Sequence, residues 1–206
     1  MTMNDRQVRE GNSAMDDMNG SVRRILEGAL LAISQRGASM LSMTDIASAA
    51  KVSRATLYRY FPHKEQLFAE LSDYIVNKFN QGVMQAAAEQ ENPRDKFEAV
   101  LQFIGDFTVN LKSDRIMEVE PKWILEARRS NFYKQLDAVN EALAPVYDDL
   151  DKRLGVRVDR AIAGEIIFRF LESTTLIPSN QLTRAAPKLL PDMLEYLLMR
   201  IAKNEQ

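Results

Sequence analysis

Cysteine is absent from the 206 residues, and histidine occurs once. Without cysteine there can be no disulfide framework, no thiolate nucleophile, no zinc finger and no iron–sulfur cluster, so a reducing compartment is the simplest home. A lone histidine, His63, has no partner of its kind for a metal site and reads as an exposed residue near a helix start. No apolar run approaches the roughly 18 residues that a membrane span needs, and the opening MTMNDRQVREGNSAMDDMNG has no apolar core of a signal peptide. These absences lead to an expectation of a cytoplasmic protein with no membrane partner. Excess charge is lacking too, at a net −2, while an apolar content of 46% and a charged content of 27% are those of a folded globular chain. Glycine (8) and proline (7) are sparse, and strand-like alternation is not sustained anywhere.

What remains is helix after helix. Residues 1–20 are polar and aperiodic and read as a disordered arm. From Ser21 onward, apolar stripes are punctuated by Gly37, Pro62, Pro93, Pro121, Gly155, Pro178, Pro187 and Pro191. The first stripe is Ile25, Leu26, Ala29, Leu30 and Ile33, with Gly37 at its end. Ser42-Met43-Thr44-Asp45 spells a capping box that opens a short helix to Ala50. After a turn at Lys51-Val52, Ser53 can cap a second short helix, Arg54 to Tyr60, which Pro62 ends.

The spacing within 43–60 is the informative part. Ile46, Val52 and Leu57 would fill a small core, and Ala47 would let two short helices cross closely, which is the pattern of a helix-turn-helix. The exposed start of its second helix would carry Arg54, Ala55 and Thr56, residue types that read base edges in the major groove. Ser53, Tyr58, Tyr60 and Lys64 flank them, Ser42 and Thr44 stand at the start of the preceding helix, and Arg23 lies in the first helix. A packed helical corner would show the same Ala/Ile/Val/Leu pattern. The charge separates the two readings. Residues 21–67 hold seven basic and three acidic side chains, a net of +4, so the rest of the chain carries −6. A basic head on an acidic body points to double-stranded DNA.

The run TDIASAAKVSRATLYRYFPHKEQLF, Thr44 to Phe68, resembles the DNA-binding domain of the TetR family of bacterial transcriptional regulators. The shared spacing is D-I-A-x-x-A-x-V-S-x-x-T-L-Y-x-Y-F-x-x-K-E-x-L. With the amphipathic helix of residues 22–36 that precedes the run, the resemblance covers about a quarter of the chain, Ser21 to about Leu71. The resemblance implies an all-α fold with an N-terminal helix-turn-helix domain (21–67) and a larger helical ligand-binding and dimerisation domain (68–206). It implies a homodimer that represses transcription from a palindromic operator and is released by a small hydrophobic or amphipathic effector, with no catalytic role and no cofactor or metal. Lys51 departs from the pattern, standing at the turn where glycine is commonest, a position that often needs φ > 0.

The larger domain is less explicit. Phe97, Leu101, Ile104, Thr108 and Leu111 form one stripe and Phe103 and Phe107 a second, more apolar surface than a one-sided helix needs. Such surface lines a ligand cavity or packs a core. The cavity reading rests mostly on the resemblance, and its candidates are Phe103, Phe107, Met117, Trp123 and Asn131. Arg128 is either a partner for an anionic group or half of a solvated Arg128-Arg129 pair. Glu118/Glu120 and the Asp148/Asp149/Asp151 run read as solvated acidic faces. A helix over 159–177 is apolar on nearly every side, and the final helix has one wide apolar face. Ile162, Ile166, Phe170, Leu190, Leu194 and Leu197 are expected at a four-helix dimer interface.

Overall fold

The computed structural model describes the backbone of residues 3–155, 157–176 and 180–204, and the side chains of 20–155, 157–173 and 185–197. The described residues form helices α1 (Met3–Arg36), α2 (Met43–Ala49), α3 (Arg54–Tyr60), α4 (Lys64–Ala88), α5 (Pro93–Asn110), α6 (Ser113–Val119), α7 (Pro121–Leu154), α8 (Arg160–Leu176) and α9 (Asn180–Asn204), with no strand among them. The chain divides into two compact units between Tyr74 and Ile75, inside α4 and a few residues beyond the Leu67 boundary that the resemblance implies.

In the first unit, Ile25, Leu26, Ala29 and Ile33 of α1 are buried together with Ile46 and Ala47 of α2, Leu57 of α3 and Leu67 and Leu71 of α4. Helix α1 ends at Gly37, whose φ of 81° is the left-handed conformation that glycine adopts without cost. It begins at Met3, so the backbone continues helically through residues expected to form an arm. Once the packed 22–36 segment has nucleated a helix, each added residue gains a hydrogen bond, even without an apolar stripe. Helix α1 approaches the end of α2 at Gly28. A Cβ there would fall 2.5 Å from the Cα of Ala50, so only glycine permits the crossing.

The second unit is built around α5 and α7, with α6, α8 and α9 packed on them. Its core joins Phe79 and Val83, from the part of α4 beyond Tyr74, to Phe97, Leu101 and Ile104 of α5. Leu136, Leu143 and Tyr147 of α7 and Phe168 of α8 complete it. Asn92 caps α5 through its side chain, with Pro93 at the first helical position. Helix α6 has no counterpart in the sequence reading, and it follows Lys112 in a left-handed turn (φ 54°). Helix α7 runs through Pro145 and stops at Gly155. Pro187 and Pro191 were expected at joints and instead lie inside α9. A proline removes one ladder hydrogen bond and crowds the preceding turn, a cost that packing of both residues against the unit offsets. Pro178 lies outside the described residues.

Candidate nucleic-acid interface

Helix α2 is fixed at both ends, and α3 at its start, by their own sequence. Ser42 Oγ accepts from the Asp45 amide (3.2 Å) while the Ser42 amide donates to Asp45 Oδ2 (2.9 Å), the reciprocal capping box at the start of α2. Hydrogen bonds that the Asp45 carboxylate accepts from the Ser42 hydroxyl (2.5 Å) and, second, from the Ser42 amide hold its pKa below the ordinary value, and the Arg36 guanidinium 3.2 Å away adds to them. At the other end of α2, the Lys51 amide donates to Ser48 O and the Val52 amide to Ala47 O. This is a Schellman turn, whose left-handed residue is Lys51 at φ 55°. The turn thus keeps the geometry that glycine favours, with lysine carrying it at a cost of about 1 kcal/mol. Two residues on, Ser53 Oγ accepts from the Thr56 amide (3.0 Å) and starts α3.

This arrangement leaves Arg54 and Ala55 exposed at the first two positions of α3, with Thr56 half-buried behind them and its hydroxyl 2.9 Å from Ser53 Oγ. Thr44 is exposed at the start of α2. Tyr58 is exposed and Tyr60 half-buried, the Tyr60 hydroxyl accepting from Arg59, whose guanidinium also lies 4.8 Å from the Tyr60 ring centroid. Lys64 opens α4 with its ammonium 5.3 Å from the Phe68 ring centroid. Two expected contact residues have structural work: the Ser42 and Ser53 hydroxyls are engaged in capping. Arg23 is exposed, but its Nε lies 4.0 Å from Glu27, a carboxylate that also accepts from the Tyr74 hydroxyl (3.1 Å).

Residues 25–71 match the family model described as "Bacterial regulatory proteins, tetR family". Over this segment the chain is similar to the TetR family. The IcaR negative transcriptional regulator of the biofilm operon icaADBC of Staphylococcus aureus (strain Newman) is 22% identical over 151 residues, 73% of this chain and 80% of IcaR. A TetR-family regulator from Mesorhizobium loti superposes with a TM-score of 0.65 at 17% identity, over 89% of this chain and 97% of that one. The FadR regulator of Bacillus subtilis, solved in complex with stearoyl-CoA, gives a TM-score of 0.58 at 17% identity, over 87% and 96%. TetR-family proteins are transcriptional regulators and not enzymes. None of the described helices is long and apolar enough to cross a membrane.

In the second unit, the residues expected at an effector site have varied surroundings. Phe103 and Phe107 stack on each other (5.6 Å) and on Phe79 (6.0 and 5.3 Å), so they belong to one aromatic cluster beside the core. Met117 and Trp123 are half-buried. Asn131 is buried and donates to Ala127 O (2.9 Å), one turn back on its own helix. Arg128 is neither solvated nor open to an anion. Its guanidinium pairs with Glu172 of α8 and donates to Ser113 Oγ, at one-fifth exposure for both Arg128 and Glu172. The two residues are 44 positions apart, so no local pattern could have linked them. Arg129 is exposed. The acidic run of α7 is likewise paired: Asp148 and Asp151 with Arg160, and Asp149 with Arg153.

The candidate dimer residues separate into two sets. Ile162, Ile166 and Leu197 are more than half exposed. Phe170, Leu190 and Leu194 instead pack against their own subunit's core. At 100° per residue, Leu189, Met193, Tyr196 and Leu197 form the neighbouring stripe of α9, and this stripe faces outward. The apolar pattern alone was too wide to tell the two stripes apart. The side chains of Leu198 and Ile201 lie outside the described residues.

Proposed function

We propose that this regulator is a dimeric repressor that reads a palindromic operator with α3 and is released when a small hydrophobic or amphipathic effector binds the second unit. The observation that carries the reading is the capped start of α3, where Arg54 and Ala55 stand exposed on a head of net positive charge. Arg54 reads a guanine edge, Ala55 allows close approach, and Thr56 contacts a neighbouring base. Thr44, Tyr58, Tyr60 and Lys64 contact phosphates and set the register. Repression is supported by the likeness to IcaR, a negative regulator, and an amphipathic effector by the likeness to a FadR that holds stearoyl-CoA. Phe103, Phe107, Met117, Trp123 and Asn131 remain the proposed effector contacts. Arg128 joins them only if the effector's polar end displaces Glu172. The outward Ile162 and Ile166 of α8 and Leu189, Met193, Tyr196 and Leu197 of α9 supply the dimer face. A cytoplasmic location follows from action on DNA.

The test is a titration against fluorescent duplexes from the region upstream of its own gene, at two salt concentrations. Sequence-specific binding that weakens steeply with salt is expected. Equal binding to random duplexes would overturn the reading.

A further inference from the structure

Lys51 holds a backbone conformation that glycine adopts freely and an L-residue does not (φ 55°). Among the described residues, no hydrogen bond or ion pair uses its side chain. It is exposed, and no carboxylate among the described residues lies within ion-pair distance of its ammonium. It lines a shallow cleft of about 340 Å³ between α1 and the end of α2, together with Arg24, Glu27, Gly28 and Leu31. Of the charges there, Glu27 is already engaged, by the Tyr74 hydroxyl at 3.1 Å and by Arg23 at 4.0 Å. Arg24 meets a neutral group, donating to Ser21 Oγ at 3.3 Å. Two cations without a carboxylate partner among the described residues, Arg24 and Lys51, therefore border one open cleft. The cleft adjoins the turn that leads into α3: Lys51 precedes the Ser53 cap by two residues, and Lys64 follows the end of α3 by four.

We propose that Lys51, assisted by Arg24, anchors a DNA backbone phosphate at the entry to the reading helix, a second electrostatic anchor beyond the Tyr60–Lys64 side. The inference rests on the DNA-binding reading above. The open form of the cleft suits a phosphodiester passing along it, and an enclosed small molecule would need deeper walls. A phosphate contact there also accounts for the residue type. Lysine supplies charge and reach at a position where the turn alone favours glycine.

The strain makes the test sharp, because Lys51→Gly removes the charge while relieving the backbone. The full-length protein should melt at the same temperature or higher, yet bind the upstream duplexes about tenfold more weakly at 0.1 M salt. The slope of log K against log salt should fall by about 0.9 for each head. Lys51→Arg should keep both affinity and slope, and Arg24→Gln should lower the slope further. If Lys51→Gly binds like the wild type, or loses affinity with the slope unchanged, the phosphate anchor is wrong while the DNA-binding reading stands. If the wild type itself binds no upstream duplex with salt sensitivity, the DNA-binding reading fails and the anchor with it.

Discussion

Arg54 and Lys64 carry the same charge in the same head, and the tasks proposed for them differ with their surroundings. Arg54 stands exposed at the first position of a capped helix, where a planar guanidinium can meet O6 and N7 of one guanine. Lys64 is a point charge at the start of α4, resting on the Phe68 ring. Arg54→Ala should therefore relax specificity at one base position by about 1–3 kcal/mol, whereas Lys64→Ala should weaken every duplex alike. Binding curves against a set of single-base operator variants distinguish the two. A uniform loss from both substitutions would remove the assigned roles. Residues such as these were legible in the sequence because each is placed by neighbours three or four positions away. The Ser53 cap and the Ser42–Asp45 box are of this local kind. Arg128 is the opposite case. Its partner Glu172 comes from another helix, and only the packing of α7 on α8 turns an apparent surface arginine into an internal ion pair.

At the scale of elements, the head is two helices of seven residues each, too short to persist alone. Their caps set where they begin, but the contact with α1 holds them. Gly28 is the point of closest approach, and a methyl group there would meet backbone and Cβ atoms of Ala50 at 2.5–2.6 Å. Gly28→Ala opposes two effects. Alanine favours the helix by about 1 kcal/mol, while forcing α1 from α2 costs about 1–3 kcal/mol. The steric term should win, because the obstructing atoms are backbone and cannot rotate away. Urea unfolding followed by circular dichroism should show net destabilisation, and a stabilised variant would mean that α1 can shift. The sequence indicated a close crossing through Ala47, but not that Gly28 forms its other side, since a glycine within a helical stripe signals little alone. The missed helix α6 and the internal prolines of α9 have a similar cause. Seven residues with few apolar positions carry a weak period, and Pro187 and Pro191 persist in a helix only because tertiary packing supports them.

For the whole molecule, the near-neutral net charge of −2 conceals +4 over residues 21–67 and −6 over the rest of the chain, which gathers the positive charge on the proposed DNA-reading segment. The outward stripes of α8 and α9 present Ile162 and Ile166, and Leu189, Met193 and Leu197, each about half exposed or more. Ile166→Glu or Leu197→Glu should convert a dimer sedimenting at micromolar concentration into a monomer, and operator affinity should fall because one head then reads one half-site. The double substitution Leu190→Ala, Leu194→Ala should instead lower stability, since these side chains fill the subunit's own core. A monomeric wild type would undo the operator geometry. By itself, the sequence determined the helical class, the capped helix-turn-helix and the residues at the start of its reading helix, because caps, turns and short-range apolar spacing act over one or two helical turns. Tertiary structure alone decided which stripe of α9 faces outward, that Arg128 is already paired, and that Arg24 and Lys51 border one cleft. Each depends on which distant helix fills the space beside a residue, and no spacing along the chain encodes that.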